Sequence, residues 1–336
     1  MASRRQFLGA ALSGATSAAL PTAASAATSR PAAPMTPIRN DLDLERLLPA
    51  LSNWGRWGPE DQLGTLNYIT PELRRAAAAL VRSGHVIPLA REIPVARAEG
   101  VRKHSYQMFR YLDAQPEEAG CVDAIGMIYH GFAITHIDAL CHMFTPEGKE
   151  GMYNGYPVST VTPQGAEKLG VEVMGAVGIV GRGVLLDIAA LRGHALPPGS
   201  AILPADLDAA ERAQQVTVGE GDILFVRNGA GPRNVLGQAT GLHAACLPWL
   251  RERRVAVLSS DSDSDVHPAA PGFQRWSEPI HMVALPYLGL PLLDNTDLEA
   301  LGVHCAHEKR WQFFVSIAPW RFKGATSSPV NPLALF

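Results

Sequence analysis

The 336-residue chain sets 29 Lys and Arg against 32 Asp and Glu, for a formal net charge of −3, with 47% hydrophobic and 18% charged residues. That balance describes an ordinary soluble globular protein, long enough for one large domain or two small ones. The slight acidity leaves no basic patch, which argues against a nucleic-acid partner.

Ser3-Arg4-Arg5-Gln6-Phe7-Leu8 opens onto a mildly apolar stretch of Ala, Gly, Ser and Thr that ends at Leu20, and Ala24-Ser25-Ala26 offers a small-residue cleavage site. This is the layout of a bacterial export signal, and the paired arginines mark the twin-arginine type. The stretch is too short and too weakly hydrophobic to span a bilayer, and no later run of 18 apolar residues does so. Residues 1–26 are therefore read as a signal peptide for the twin-arginine export machinery, which carries folded proteins, so a cofactor can be loaded before the chain reaches the periplasm. No membrane association is expected after cleavage. Residues 27–40 read as a flexible leader and 41–336 as a single domain.

Within that domain, Asp41–Leu51 is predicted as a short helix and Trp54 to Gly58 as a loop. Thr70 and Pro71 form a helix start, as cap and first position, for an Ala-rich helix to about Ser83. Strands are predicted over Val86–Leu89, Met127–Ile137, Gly183–Ile188, Asp222–Arg227 and Arg254–Ser259. Helices are predicted over Leu203–Gln214 and His243–Arg251, and Met282–Leu293 is an apolar run interrupted by two prolines. Strands mixed with helices, with no repeat and no long linker, make the chain α/β. Cys121, Cys141, Cys246 and Cys305 are scattered without a Cys-x-x-Cys pair, and a chain this long needs no disulfide even where one is allowed. Cys141 reads as small core packing.

The densest set of metal-ligand side chains lies between His130 and His142. His136 and Asp138, two apart, face the same way on a strand. Asp138 and His142, four apart, are brought together by one helical turn. Imidazole nitrogen and carboxylate oxygen suit zinc or manganese. The competing reading is a set of hydrogen-bonded core histidines; burying that much polarity without a metal or a function is costly. Asp261-Ser262-Asp263-Ser264-Asp265 imitates the start of a calcium loop, but Val266 stands where the loop needs Gly and Gly272 where it needs Glu. It is read as a strand-end loop at the rim of the site. His267, His304 and His307 are read as structural or solvent-facing.

Thr135-His136-Ile137-Asp138, with His142 four residues beyond the Asp, resembles the Thr-His-x-Asp-x3-His motif of the cyclase family of metal-dependent hydrolases, which includes bacterial kynurenine formamidase and isatin hydrolase. Residues 57–67 (Trp-Gly-Pro-Glu-Asp-Gln-Leu-Gly-Thr-Leu-Asn) resemble the opening of its longer members. Residues 292–298 are similar to its second metal segment, and residues 328–332 to the longer members' C-terminal ending. The resemblance implies a swivelling β/β/α domain around a mixed, barrel-like sheet. It also implies His136 as a ligand of the first metal, Asp138 as a bridge between two metals, His142 as proton donor and acceptor, and His281 as a ligand of the second metal. Asp294 stands where the family has a longer Glu. Phe132 occupies the position of the formamidases' first ligand, which leaves a single-metal site open. His130 is the proposed replacement, on condition that Gly131 to Ile134 loops out, because a straight strand would hold His130 and His136 about 20 Å apart. Trp54 or Trp57 is expected either to stack on an aromatic substrate or to pack in the core.

The implied cofactor is one or two divalent ions, zinc before manganese, and the implied partner is a small-molecule substrate. Relatives commonly assemble as dimers or tetramers, so a homo-oligomer is expected. The leading activity is hydrolysis of a C–N bond in a formamide or cyclic amide, as an arylformamidase performs. A lactone hydrolase or cyclase using the same site is the alternative, and a periplasmic protein that uses metal only to hold a carboxylate ligand is the non-enzymatic one. A retained proton shuttle at His142 favours chemistry over binding.

Overall fold

The computed structural model describes residues 37–93, 108–115, 120–229 and 238–336. The predicted signal peptide and the leader as far as Thr36 lie outside the described residues. Residues Pro37–Phe336 form one compact unit.

A mixed nine-stranded sheet, curled as a half-barrel, organises the described residues. In chain order its strands are β1 (Val86–Pro88), β2 (His136–Asp138), β3 (Ile179–Asp187), β4 (Ile223–Arg227), β5 (Val257–Ser260), β6 (Leu292–Asp294), β7 (Gln312–Ile317), β8 (Ser327–Pro329) and β9 (Leu333–Leu335). The spatial order is β1-β9-β7-β3-β4-β5-β6-β2-β8. Strands β3, β4, β5 and β6 run parallel, and the pairings outside that block are antiparallel. Sequence explains the division. Strand β5 is fully buried and β4 nearly so, as parallel strands covered on both faces must be. Strand β7 instead alternates buried and half-buried residues, the mark of a one-faced strand.

Caps open both N-terminal helices, Thr70 as the sequence predicts and Asn40 in addition. Asn40 accepts the Asp43 N–H at 2.9 Å and opens the helix Asp41–Leu51. Thr70 accepts the Leu73 N–H at 3.3 Å ahead of Pro71–Ala78. That second helix stops short of Ser83: beyond Ala78 the amides of Leu80 and Val81 tighten onto the carbonyls of Ala77 and Ala78 at 3.0 and 3.2 Å, and those of Ser83 and Gly84 go to the Phe336 carbonyl at 2.9 and 2.8 Å. The predicted helix at His243 begins later, at Cys246, and runs to Arg253, since the His243 ring itself takes the Ala245 N–H at 3.1 Å. Strand β3 starts earlier than predicted, and Ile188 belongs to the next helix, which Asp187 caps by accepting the Ala190 N–H at 2.8 Å.

The strand predicted over Met127–Ile137 is broken. One strand ends at Met127, at the base of a hairpin formed by Met108–Gln115 and Gly120–Met127, and pairing resumes only at His136. Gly131 sits between at φ +116°, a backbone that a continuous strand of L-residues does not adopt. The side-chain amide of Asn295 donates to the Gly131 carbonyl at 2.5 Å and the Arg91 guanidinium to the Phe132 carbonyl at 3.3 Å, which pins the turn from outside.

Candidate metal centre

Strand β2 carries the site because it lies between β6 and β8. Its register sets His136 directly opposite Asp294 on one side, and Asp138 opposite Ser327 on the other. Residues paired this way share a face of the sheet, and His136 and Asp138, two apart, share it as well. After Asp138 the chain turns at once, with the His142 N–H on the Ala139 carbonyl at 2.9 Å, so a turn rather than a helix returns His142 to Asp138. Its Nε2 stands 3.8 Å from Asp138 Oδ2.

The turn around Gly131 brings in His130, whose Nδ1 is 3.4 Å from Asp138 Oδ1. The His130 ring stacks on His142 with centroids 4.4 Å apart and meets His136 edge-on at 5.4 Å. His281 arrives from the short helix Pro279–Val283, its Nε2 3.1 Å from Asp294 Oδ2 and 3.6 Å from Asp138 Oδ2. Asp138 is thus the hub of four imidazoles, and Oδ1 and Oδ2 face different sets of them.

Hydrogen bonds behind the rings set which nitrogen looks inward. His136 Nδ1 is 2.9 Å from the Ile134 carbonyl, which can only accept, so Nδ1 carries a proton and Nε2 faces Asp138 Oδ1 at 3.7 Å. His130 Nε2 is held by the hydroxyls of Ser327 at 2.8 Å and Thr326 at 3.2 Å, leaving Nδ1 for the site. Ser264 Oγ donates to Asp294 Oδ1 at 2.6 Å, so that Oδ2 is the oxygen turned to His281. Metal-binding histidines are oriented in this way, one nitrogen tied to the protein and the other free.

The charge balance points in the same direction. Asp138 is 1% exposed and its Oδ1 has no hydrogen-bond partner. Burial would raise its carboxyl, but His142 and His136, with a hydrogen bond from His281 and a further contribution from His130, hold it well below the usual carboxylate range. His130 is pushed down to about 4, chiefly by burial against the pull of Asp138. His142 is lowered by burial too, again opposed by Asp138. An orphaned, ionised, buried carboxylate oxygen ringed by imidazole nitrogens is the donor set a divalent ion takes. Three ligand groups lie within binding reach of one ion: His130, Asp138 and His142; His136, Asp138 and Asp294; and Asp263, His281 and Asp294. The residues present fit a divalent metal.

Every histidine and carboxylate expected at the metal is therefore brought into one cluster, His130 included. Trp54 and Trp57 are not. Trp54 stacks on Tyr287 at 6.0 Å and donates Nε1–H to the Pro286 carbonyl, while Trp57 packs edge-on against Tyr68 at 5.0 Å. Among the described residues neither ring makes a ring contact or hydrogen bond with the cluster. Phe132 meets His267 edge-on at 5.8 Å, and His304 stacks on His85 far along the chain. The Cys141 thiol is buried and pushed up to about 12 by that burial, so it is no nucleophile. The residues that sequence reasoning passed over are Ser264, Asp265, Thr326 and Ser327. The signal available for the first two was a polar run directly after an apolar strand.

The model of the Cyclase family, described as "Putative cyclase", matches residues 63–264. The chain belongs to the cyclase family. A crystal structure described as that of a novel cyclase is 31% identical, with a TM-score of 0.74 over 85% of this chain and 99% of that one. Isatin hydrolase A from Labrenzia aggregata, bound to benzyl benzoate, is 17% identical with a TM-score of 0.54, covering 77% of this chain and 94% of its own. Isatin hydrolase A from Ralstonia solanacearum is 18% identical with a TM-score of 0.53, covering 79% and 97%. These two share the fold with this member of the family. No curated protein matches the sequence.

Proposed function

We propose that this cyclase-family protein is an exported, metal-dependent hydrolase that opens the C–N bond of a formamide or cyclic amide. The observation that carries the reading is Asp138: a buried, ionised carboxylate with an unpartnered oxygen, faced by imidazole nitrogens whose opposite nitrogens are tied back to the protein. His130, His136, Asp138, His281 and Asp294 would hold one or two divalent ions. Such an ion supplies Lewis acidity, polarising an amide carbonyl and making water a better acid at neutral pH.

The chain's own groups do the rest. Asp138 keeps its charge under burial because the imidazoles compensate it. Ser264 holds Asp294 Oδ1, so Oδ2 is the oxygen turned to His281. His142 is a neutral imidazole at the mouth of the cluster, partly exposed where His136 and Asp138 are buried. It is placed to accept a proton when water attacks and to return it to the leaving nitrogen. Support for an amide substrate comes from the fold shared with the isatin hydrolases, whose ligands are small aromatic molecules by their names. The paired Arg4 and Arg5 support twin-arginine export, through which a folded, metal-loaded protein reaches the periplasm.

The test is a turnover screen of zinc- and manganese-loaded protein against N-formylkynurenine, isatin and simple aryl lactones. Amide opening at rates well above the lactones is expected. Lactone turnover alone would move the assignment to a lactone hydrolase or cyclase, and binding of carboxylates with no turnover would make the protein a binder.

A further inference from the structure

The Asp261–Asp265 run follows strand β5 and plunges into the core: Ser262, Ser264 and Asp265 are fully buried and Asp261 is 1% exposed. A buried carboxylate needs every lone pair used. Among the described residues no Lys or Arg is paired with Asp265, and it is satisfied from the segment that carries His281. Its Oδ1 accepts the Ile280 N–H at 2.7 Å, and its Oδ2 accepts the His281 N–H at 2.9 Å. Those two bonds cap the short helix Pro279–Val283. The third does something else: Oδ2 also takes the His281 ring at Nδ1, at 2.7 Å.

We propose that Asp265 is a positioning residue for the half of the metal centre built on His281, fixing the ring's tautomer and direction so that Nε2 is its ligand atom. This rests on the metal reading given above. Both ring nitrogens face carboxylates, which only accept: Nδ1 meets Asp265 Oδ2 at 2.7 Å and Nε2 meets Asp294 Oδ2 at 3.1 Å, with Asp138 Oδ2 at 3.6 Å. When an ion takes the place of the proton on Nε2, the remaining ring proton therefore resides on Nδ1, where Asp265 holds it. The neighbouring carboxylate does not compete for this role. Asp263 Oδ1 is 3.6 Å from Nδ1, beyond hydrogen-bond range, and it accepts the Asp265 N–H, while its Oδ2 faces His267. Adjacent residues thus address the two ligands separately, Ser264 holding Asp294 and Asp265 holding His281.

Asp265→Asn isolates the effect. An amide offers one acceptor oxygen where the carboxylate serves three donors from two. Either a backbone N–H is stranded, or the amide N–H₂ faces Nδ1 and forces the ring proton onto Nε2, the atom needed for the metal. Zinc affinity and stoichiometry are read by competitive chelator titration. The ring is read by long-range ¹H–¹⁵N spectra of zinc-loaded, ¹⁵N-histidine-labelled protein, with His281 assigned through His281→Gln. Wild-type protein should show His281 protonated at Nδ1 and zinc-shifted at Nε2. Asp265→Asn should lose that pattern and weaken one zinc site by about 10- to 100-fold. A residue that merely capped the helix would cost thermal stability and leave the spectrum and zinc affinity unchanged, which would overturn the proposal. Zinc bound through Nδ1 in the wild type would overturn it whether or not the variant folds. Failure of the wild type to bind zinc at all would overturn the metal reading itself, and this proposal with it.

Discussion

His142 illustrates how one side chain's role depends on its surroundings. Stacking on His130 at 4.4 Å, with Nε2 3.8 Å from Asp138, fits both a proton shuttle and a ligand in the His130–Asp138–His142 group. Burial lowers its pKa, and Asp138 only partly offsets this, so near neutral pH the ring is uncharged and ready to accept a proton. His142→Asn should lower kcat by roughly 10² to 10⁴ while metal content stays at the wild-type level. Metal analysis beside steady-state kinetics checks this; loss of the metal together with activity would make His142 a ligand instead. Asp138 has no such ambiguity, since every site histidine faces it.

At the scale of the element, the turn between Met127 and His136 decides whether the cluster has a third imidazole on its first half. Gly131 at φ +116° folds the chain back, and the bonds from Asn295 and Arg91 hold it there. A Cβ at that φ is strained by about 1 to 3 kcal/mol. Gly131→Ala should therefore misplace His130 and weaken metal binding in the same direction as His130→Ala, which should cost about 10-fold or more if His130 is a ligand. Isothermal titration with zinc measures both variants. Wild-type affinity in His130→Ala would leave a site built on His136, Asp138 and His281. Strand β2 is the complementary element: only three residues long, it is held on both edges, and its pairing to β6 and β8 delivers Asp294 and Ser327 to its own side chains.

For the whole molecule, the centre ties together segments from His130 to Ser327 that are distant in sequence. A metal that binds only the folded state adds about 2.7 kcal/mol per site at a free concentration 100 times its Kd. Zinc should raise the thermal midpoint in proportion to the logarithm of its concentration, and a chelator should lower the midpoint and abolish turnover together. Full activity in metal-free protein would refute the metal assignment. The proposed export is also read at the scale of the whole chain. Arg4→Lys with Arg5→Lys should leave folded precursor in the cytoplasm, measured by cell fractionation, because twin-arginine signals are read through that pair. Unimpaired periplasmic delivery would mean that another route carries the protein. Among the described residues no helix is long and apolar enough to cross a membrane.

Local chemistry was enough to determine much of this. The cap at Thr70 and the apolar runs of β4 and β5 are written in neighbouring residues, and so is the His136–Asp138–His142 spacing, because each depends on bonds within a few positions. The cyclase-family membership was legible for the same reason: its motifs are short and lie in order along the chain. What only the tertiary structure decided depends on partners distant in sequence. The amides of Ser83 and Gly84, beyond the helix after Pro71, go to the Phe336 carbonyl, and the stretch before His136 turns because Arg91 and Asn295 brace it. Asp261–Asp265 looked like a rim loop because nothing in its own composition says that Asp265 meets a helix fifteen residues later, or that Ser264 meets Asp294 thirty residues later. A polar run is cheap in water and costly in a core, and which of the two it occupies is settled by the strands that close around it.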